Sequence, residues 1–392
     1  MRPRIVTLCA TALALGITGT IPAHAAAERP STITRYDEIA LVSDISGKAP
    51  VTDTKLVNPW GIAIGKTLWV ANAGTGTATV YTGGSGTIKK QSTTVWVPGG
   101  TPTGQVVNTT DDFIVKGKGG KGPATFIFSS PSGAITGWNA KADPNNAIIS
   151  AFTRNADYKG LALMETNKGN FLLGADFAHN RINVWDRDFH PVSLARRAFR
   201  DPYLPRNYSA YNVKIVGDAV VVVFALRDHK TGKVVPGKGR GFVSAFTPSG
   251  RFVRRLVSRG RLNAPWAVTI APKGFGSYAG ALLIGNFGDG WINAYNPRDG
   301  RYLGALRTAK GRPIAIDGLW DLAPGTKENG GEGTLWFSAG IQRVQHGLLG
   351  LIRPAGGSAS TARPSNTGKS GGTSTARPSN TGNSGGSSGY GY

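Results

Sequence analysis

Two imidazoles and three carboxylates carry most of the chain's capacity for chemistry. Asp176 and His179 lie in Asp-Phe-Ala-His, Asp289 in Asn-Phe-Gly-Asp-Gly, Asp317 in Ile-Asp-Gly and His346 in Gln-His-Gly. Brought together, they could ligate a divalent cation, calcium or zinc, or supply an acid–base pair. Histidine is also the side chain that titrates near neutral pH. The same residues have a simpler use. Asp and Asn at turn starts bond their own backbone, and residues 286–290 read as a hairpin turn. Nucleophile signatures are missing: there is no G-x-S-x-G elbow, and Cys9 is the single cysteine. The glycine- and lysine-rich run at 117–122 lacks the phosphate-loop spacing and leads into a strand, not a helix, so it reads as a hairpin loop.

The elements that must position these groups are short strands in a repeated unit. Residues 262–297 show it best, with strands at 267–270, 281–285 and 292–295 and a fourth at 302–307, separated by glycine-rich turns. Six such units start at Pro59, Pro102, Tyr158, Tyr211, Pro265 and Leu319, the last four 53 or 54 residues apart. One unit cannot bury its own apolar faces. Four short strands at this period predict an all-β, six-bladed β-propeller of four-stranded blades. Two separate sandwiches would not produce an even period. The fourth strand of unit three is expected within 194–199. Unit six lacks one, whereas the strand at 39–44 lacks a sheet. A ring closed by that N-terminal strand in the last blade satisfies both and removes free edges. The propeller is expected over 35–353.

In such a ring the loop between second and third strands shares a face with the segment feeding the first strand. Asn72, Asp176, His179, Asn286, Asp289 and His346 fall in loops of the first kind, and Asn58, Asn263 and Asp317 in segments of the second. All are expected around one mouth of the central channel, as a ligand face or as ordinary turns. Trp60, Trp266 and Trp320 recur at one place in three units and read as blade-packing core, not sugar platforms.

Residues 1–25 read as a signal peptide: Arg2 and Arg4, an apolar stretch at 5–17, and Ala-His-Ala before the cut. The mature chain is then expected outside the cytoplasm, secreted or periplasmic in the cell envelope after Sec-type cleavage. It has no cysteine, no disulfide and no run long enough to span a membrane. Residues 26–34 form a lead-in. Residues 354–392 repeat TARPSNTGKSGGTS almost unchanged, a Gly/Ser/Thr/Asn composition that cannot bury a core and is expected to be disordered. The formal charge is +23, and the loss of Arg2 and Arg4 leaves +21. Basic runs at 116–121, 196–200, 230–240 and 251–261 are expected on outer strands and loops, as a positive rim suited to an anionic envelope or wall polymer. The absence of interleaved stacking aromatics argues against nucleic acid. A monomer is expected.

The blocks LVNPWGIAI, LWVANAGTGTATVY, PTGQVVN, YKGLAL, LLGADFAHNRINVWD, RDPYLP, LNAPWAV, LLIGNFGDGWINAYNP, IDGLW and HGLLGLI occur in order over residues 41–352. Together they resemble an uncharacterised family of exported bacterial proteins with NHL-like six-bladed propellers. The resemblance implies the fold and export and assigns no activity. Relatives often carry an acidic, Asn-rich stretch before the HGL block, where this chain has Ile-Gln-Arg-Val-Gln at 341–345. Gluconolactonase-like propellers hold a cation through Glu, Asn and Asp, the Glu on a first strand. Glu38 is the nearest candidate here, in a different context. The sequence therefore points first to a non-catalytic binding scaffold working through its channel-mouth face and basic rim. The other reading is a divalent-metal-dependent, lactonase-like hydrolase or lyase at the channel mouth.

Overall fold

The computed structural model describes residues 33–356. The expected signal peptide, most of the lead-in and nearly all of the C-terminal repeat segment lie outside the described residues.

Six sheets form the blades of a β-propeller, antiparallel except where the two-residue strand Val51–Thr52 pairs parallel with Tyr36–Ser43 at the outer edge of the last blade. Blade one runs Pro59–Ile64, Leu68–Asn72, Thr77–Thr82 and Lys89–Trp96 from the channel outward. Blade two uses Gln105–Val107, Phe126–Ser129, Ala134–Trp138 and Ile148–Phe152, and blade four Tyr208–Val216, Ala219–Leu226, Gly241–Phe246 and Phe252–Ser258. Blade five is Pro265–Ile270, Leu282–Asn286, Ile292–Tyr295 and Tyr302–Ala305. Sequence character follows position. Val220–Phe224 on a second strand are buried throughout, because that strand is covered on both faces. The outer strand Lys89–Trp96 is largely polar and exposed, as an edge should be.

Ring closure is as the unpaired strands require. Tyr36–Ser43 lies antiparallel to Leu348–Pro354 at the outside of blade six, beyond Leu335–Ala339 and Leu319–Pro324. The closing strand also grips blade five: the Tyr36 N–H donates to Arg307 O at 2.9 Å. Its phenol donates to Phe275 O at 2.8 Å. Leu41 and Val42 pack with Leu68, Val70 and Tyr81 of blade one and Leu349 and Leu351 of blade six, so the closing strand joins first and last blades through apolar contact.

One local expectation is corrected and another is borne out. Blade three has three regular strands, Tyr158–Thr166, Gly169–Asp176 and Arg181–Trp185. Its outer place is held by a short segment at 190–192, where Pro191 bridges Trp185 and Val192 N donates to Val184 O at 2.8 Å. Residues 194–199 do not pair there. Phe199 turns left-handed, donates its N–H to Gly250 O at 2.7 Å and buries its ring against Phe246 of blade four. The glycine–lysine run at 117–122 falls within a hairpin, Ile114–Gly117 with Gly120–Pro123, added beside blade two.

A buried carboxylate fixes the outer part of blade four. Asp201 accepts hydrogen bonds from Ser244 Oγ and Arg255 Nε, both at 2.7 Å, and from Tyr203 N at 2.9 Å. Burial raises its pKa, but the Arg255, Ser244 and Tyr203 donors outweigh burial and leave it below the usual carboxylate range. A carboxylate depressed in the folded state contributes stability that is present above its unfolded pKa. That stability drains away as pH falls from about 4 through the folded value. Asp201→Asn should therefore flatten the acid limb of stability between about pH 4 and the acid end of the folded titration. Urea unfolding against pH reads this directly, and an unchanged acid limb would refute the assignment.

Candidate ligand site at the channel mouth

The inner strands all start at one end of the channel, where rings from near their starts and from the loops between second and third strands close it. Trp60 and Trp320 stack with centroids 3.5 Å apart, and Phe287 covers the other face of Trp320 at 4.2 Å. Trp266 meets Trp60 edge-on at 5.6 Å, and Tyr211 lies against Phe177 at 4.7 Å. Lys159 Nζ sits 5.6 Å from the Trp60 ring centre. Both faces of Trp320 are thus taken by neighbouring rings, and Trp60 lies between Trp320 and an ammonium. The tryptophans are packing core, as their recurrence indicates, and Trp60 and Trp320 also form the floor of a pocket.

That pocket has a volume of about 420 Å³. Its polar wall is built by Asp157, Lys159, Arg227, Thr231 and Lys233, with Asn58 and Thr103 beside the floor. Asp157 and Lys159 flank the first residue of blade three's inner strand and pair at 2.8 Å. Arg227 begins the long loop between the second and third strands of blade four, and its guanidinium carbon lies 5.9 Å from the Phe177 ring centre. The buried Nε of Arg227 and Nε1 of Trp60 have no hydrogen-bond partner in the protein. Burial pushes the Tyr211 phenol far above its usual range, with the Asp157 charge adding to it, so Tyr211 stays neutral. The wall's charge is cationic on balance, set in a partly dry, aromatic surround where a charge-assisted hydrogen bond is strong.

The sequence-singled residues lie on this face but in separate local networks. Asn58, left-handed at φ 46, accepts from Trp320 Nε1 at 2.9 Å and lines the pocket. Asn72 donates to Thr79 at 2.9 Å inside blade one. Asp289 accepts from Asn263 Nδ2, Asn286 Nδ2 and Trp291 N, and Asn263 N donates to Asn286 Oδ1. Asp176 is fully buried. It accepts from Asp157 N and Ala178 N through one oxygen, and meets His179 Nδ1 at 2.8 Å and Arg181 Nε at 3.0 Å through the other. His346 Nδ1 lies 2.7 Å from Asp44, whose other oxygen accepts from Gly347 N. Asp317 accepts from Gln342 N at 2.7 Å and so anchors three consecutive left-handed residues, Gln342, Arg343 and Val344.

The proposed metal set of Asp176, His179, Asp289, Asp317 and His346 is therefore not one cluster. Its carboxylates are engaged by backbone or side-chain N–H donors, and Arg181 puts a cation against Asp176. Turn chemistry is what these residues visibly do. Among the described residues, the His/Asp/Glu group with ligand atoms mutually within 4.8 Å is Asp186, Asp188 and His190. It lies in the turn after blade three's third strand, toward the opposite face. There Asp186 Oδ1 already accepts from Asp188 N and His190 N. Glu38 sits in the closing strand opposite Ile352, at the outside of blade six. It is thus not a first-strand ligand.

The residues missed were Asp44, Asp157, Lys159, Tyr211 and Arg227. Asp157 precedes the inner strand of blade three, as Asn58 precedes that of blade one, so unit alignment could have found it. The 227–240 loop joins second and third strands and belongs to the mouth by the rule used for the other blades. Its basic residues were placed on the outer rim, and for Lys233 that is corrected, because it lines the mouth.

Fold and site together define a six-bladed propeller whose channel is capped on one face by an aromatic floor and a charged wall. The chain is 34% identical over 330 residues to uncharacterized protein R648 of Acanthamoeba polyphaga mimivirus, covering 80% of this chain and 78% of that one. It is 32% identical over 325 residues to uncharacterized protein L690 of the same virus, covering 80% and 84%. The chain belongs to the family of these proteins. The relatives are viral, so they do not carry the bacterial or exported part of the sequence-based resemblance. No protein-family model matches. Among solved structures, the chain is similar to one from a nidogen/laminin complex, with TM-score 0.44 and 14% identity over 67% of this chain and 82% of that one. It is also similar to a gluconolactonase from Xanthomonas campestris, with TM-score 0.33 and 14% identity over 58% and 82%.

Proposed function

We propose that this protein is a ligand-binding propeller whose channel-mouth pocket takes an anionic group, carried by a polyanionic partner that the rest of the basic surface helps to hold. The observation behind this reading is the half-buried Arg227, which lines the same cavity as Lys159 and Lys233, with a single carboxylate, Asp157, among the lining residues. A carboxylate, sulfate or phosphate matches a guanidinium in charge and hydrogen-bond geometry. The formal charge of +23 acts over longer range, raising the local concentration of such a partner.

The test uses the full chain on immobilised polyuronate, with neutral dextran as control. Retention on the polyuronate should fall steeply between low salt and about 0.5 M, where screening shortens to a few ångströms, with no retention on dextran. Retention that ignores salt, or equal retention on dextran, would overturn the electrostatic reading.

A further inference from the structure

Basic runs that lie far apart in sequence meet on the outer edge of blade four. From residue 189 to 288 the chain has sixteen lysines and arginines against three acids, Asp201, Asp218 and Asp228, where the whole chain has 45 against 22. None of the three acids offsets charge on that edge. Asp201 is buried and already paired with Arg255 at 2.7 Å. Asp218 lies in the turn between the two inner strands, and Asp228 caps its own loop by accepting from Lys230 N and Thr231 N. Two segments build the far end of the edge: Phe199 N donates to Gly250 O at 2.7 Å, which sets Arg196, Arg197 and Arg200 close to Arg251. Arg254 follows on the outermost strand, and Arg259 comes just after it at the mouth end. These six arginines are exposed, and none has an acidic partner among the described residues.

The edge presents side chains and not an open backbone ladder. Its pairing with Gly241–Phe246 shifts register twice, at Val253 and at Leu256, and such bulges twist an edge away from pairing with a further strand. At the mouth end, guanidinium groups are held over rings. Arg255 lies 4.7 Å and Arg259 5.4 Å from the Phe242 ring centre, and Arg261 5.5 Å from that of Tyr302. Oriented and weakly hydrated, such groups suit a carboxylate. Arg240 bridges to Asn263 beside them and ends the loop that supplies Arg227 and Lys233 to the mouth pocket. The row thus runs from the far face to the mouth. From Arg251 to the strand's end at Ser258 is about 24 Å at 3.4 Å per residue, roughly three screening lengths at physiological salt. A small anion senses one part of the row, whereas a long chain engages all of it. Tyr203, 74% exposed and set against Phe252, adds a flat apolar surface that a sugar ring can cover.

We infer that the outer edge of blade four is a docking strip for a linear polyuronate-type chain, whose acidic groups follow the arginine row from Arg197 past Arg254 to Arg259 and reach the mouth pocket. The inference rests on the anion reading of that pocket. It adds where the rest of the partner lies: along one blade, not over the whole basic surface. The run at 116–121 is the contrast. It stands on the hairpin beside blade two, apart from the row, and there Lys118 interacts with the Asp143 carboxylate.

The test titrates the full chain with a trimeric and a dodecameric oligouronate by calorimetry over a series of salt concentrations. Affinities are expressed per uronate residue, so that the larger number of registers on the longer chain does not count. The dodecamer should bind at least about tenfold tighter than the trimer, with a steeper dependence on salt because more ion contacts form. The triple variant Arg197→Gln, Arg251→Gln, Arg254→Gln should lose most of that gain and the extra salt dependence, while its trimer affinity and melting temperature stay unchanged. Lys116→Gln, Lys118→Gln, Lys121→Gln makes the same change in net charge on the blade-two hairpin and should keep the gain. Equal affinity per residue for both lengths, or equal losses in the two triple variants, would mean diffuse attraction and overturn the inference. A dodecamer gain that depends on the three arginines, without any trimer binding, would leave the strip standing and remove the pocket reading. Capture by vesicles of phosphatidylcholine and phosphatidylglycerol through the same arginines, with no dodecamer gain, would assign the edge to a membrane surface and overturn the polymer assignment.

Discussion

Trp320→Ala should lower the unfolding free energy by about 3–5 kcal/mol, the range for truncating a buried aromatic side chain that its surroundings cannot refill. Trp320 is 2% exposed and stacked between Trp60 and Phe287. Its ring also meets Trp266 and Tyr211 at their edges. Its indole N–H holds Asn58, a residue in a left-handed conformation that non-glycine residues seldom adopt. Trp320→Phe keeps an aromatic ring in the stack and loses mainly the bond to Asn58, so it should cost less, about 1–2 kcal/mol. Denaturant unfolding of the two variants measures the difference. A loss below about 1 kcal/mol for the alanine variant would show that the stack is not a structural centre of the ring.

The second large effect concerns Asp321, a channel carboxylate that no sequence motif marked. It is fully buried. It accepts from Ile62 N of blade one at 3.0 Å and from Leu322 N at 2.9 Å, and pairs with Lys214 of blade four. One side chain thus ties blades six, one and four around the axis. Asp321→Ala should cost about 3–5 kcal/mol, since it strands two backbone donors and leaves Lys214 without its counter-charge. The double variant Asp321→Leu with Lys214→Met should recover a large part of that loss, because removing both charges is far milder than removing one. No recovery would place the cost in the two orphaned backbone donors. A small loss in the single variant would contradict the role given to Asp321.

Much of the architecture was legible because propeller chemistry repeats. The 53–54-residue spacing, the glycine-rich turns and the unpaired strand at 39–44 constrained one another, so blade number and closure followed together. Blade three's outer edge did not follow, for a physical reason. An outermost strand has one free edge, tolerates proline, and can shrink to a single bridge at Pro191. Phe199, which looked like the end of a strand, finds more burial against Phe246 of blade four.

The candidate site was legible as a location and not as a set of partners. Placing Asn58, Asp176 and Asp289 at one mouth needs only topology. Knowing that Asp289 is engaged by Asn263 and Asn286, or that Asp44 holds His346 from 302 residues away, needs coordinates. Arg227 and Lys159 escaped notice because lysine and arginine are common throughout so basic a chain. What distinguishes these two is their setting over aromatic rings in a concave site.

On the proposed function, the mouth pocket and not the general basic surface recognises the anionic group. The most direct measurement is tryptophan fluorescence of the full chain titrated with a short polyuronate oligomer at fixed low salt. Wild type, Arg227→Ala and Lys159→Ala are compared with the outer-strand variant Arg254→Ala. Trp60 and Trp320 lie in the pocket wall and should report occupancy. Saturable quenching is expected in wild type and Arg254→Ala, with affinity lower by about tenfold or more in Arg227→Ala, the scale of one charge-assisted hydrogen bond. Equal affinity in wild type and Arg227→Ala, with the loss falling on Arg254→Ala, would contradict it.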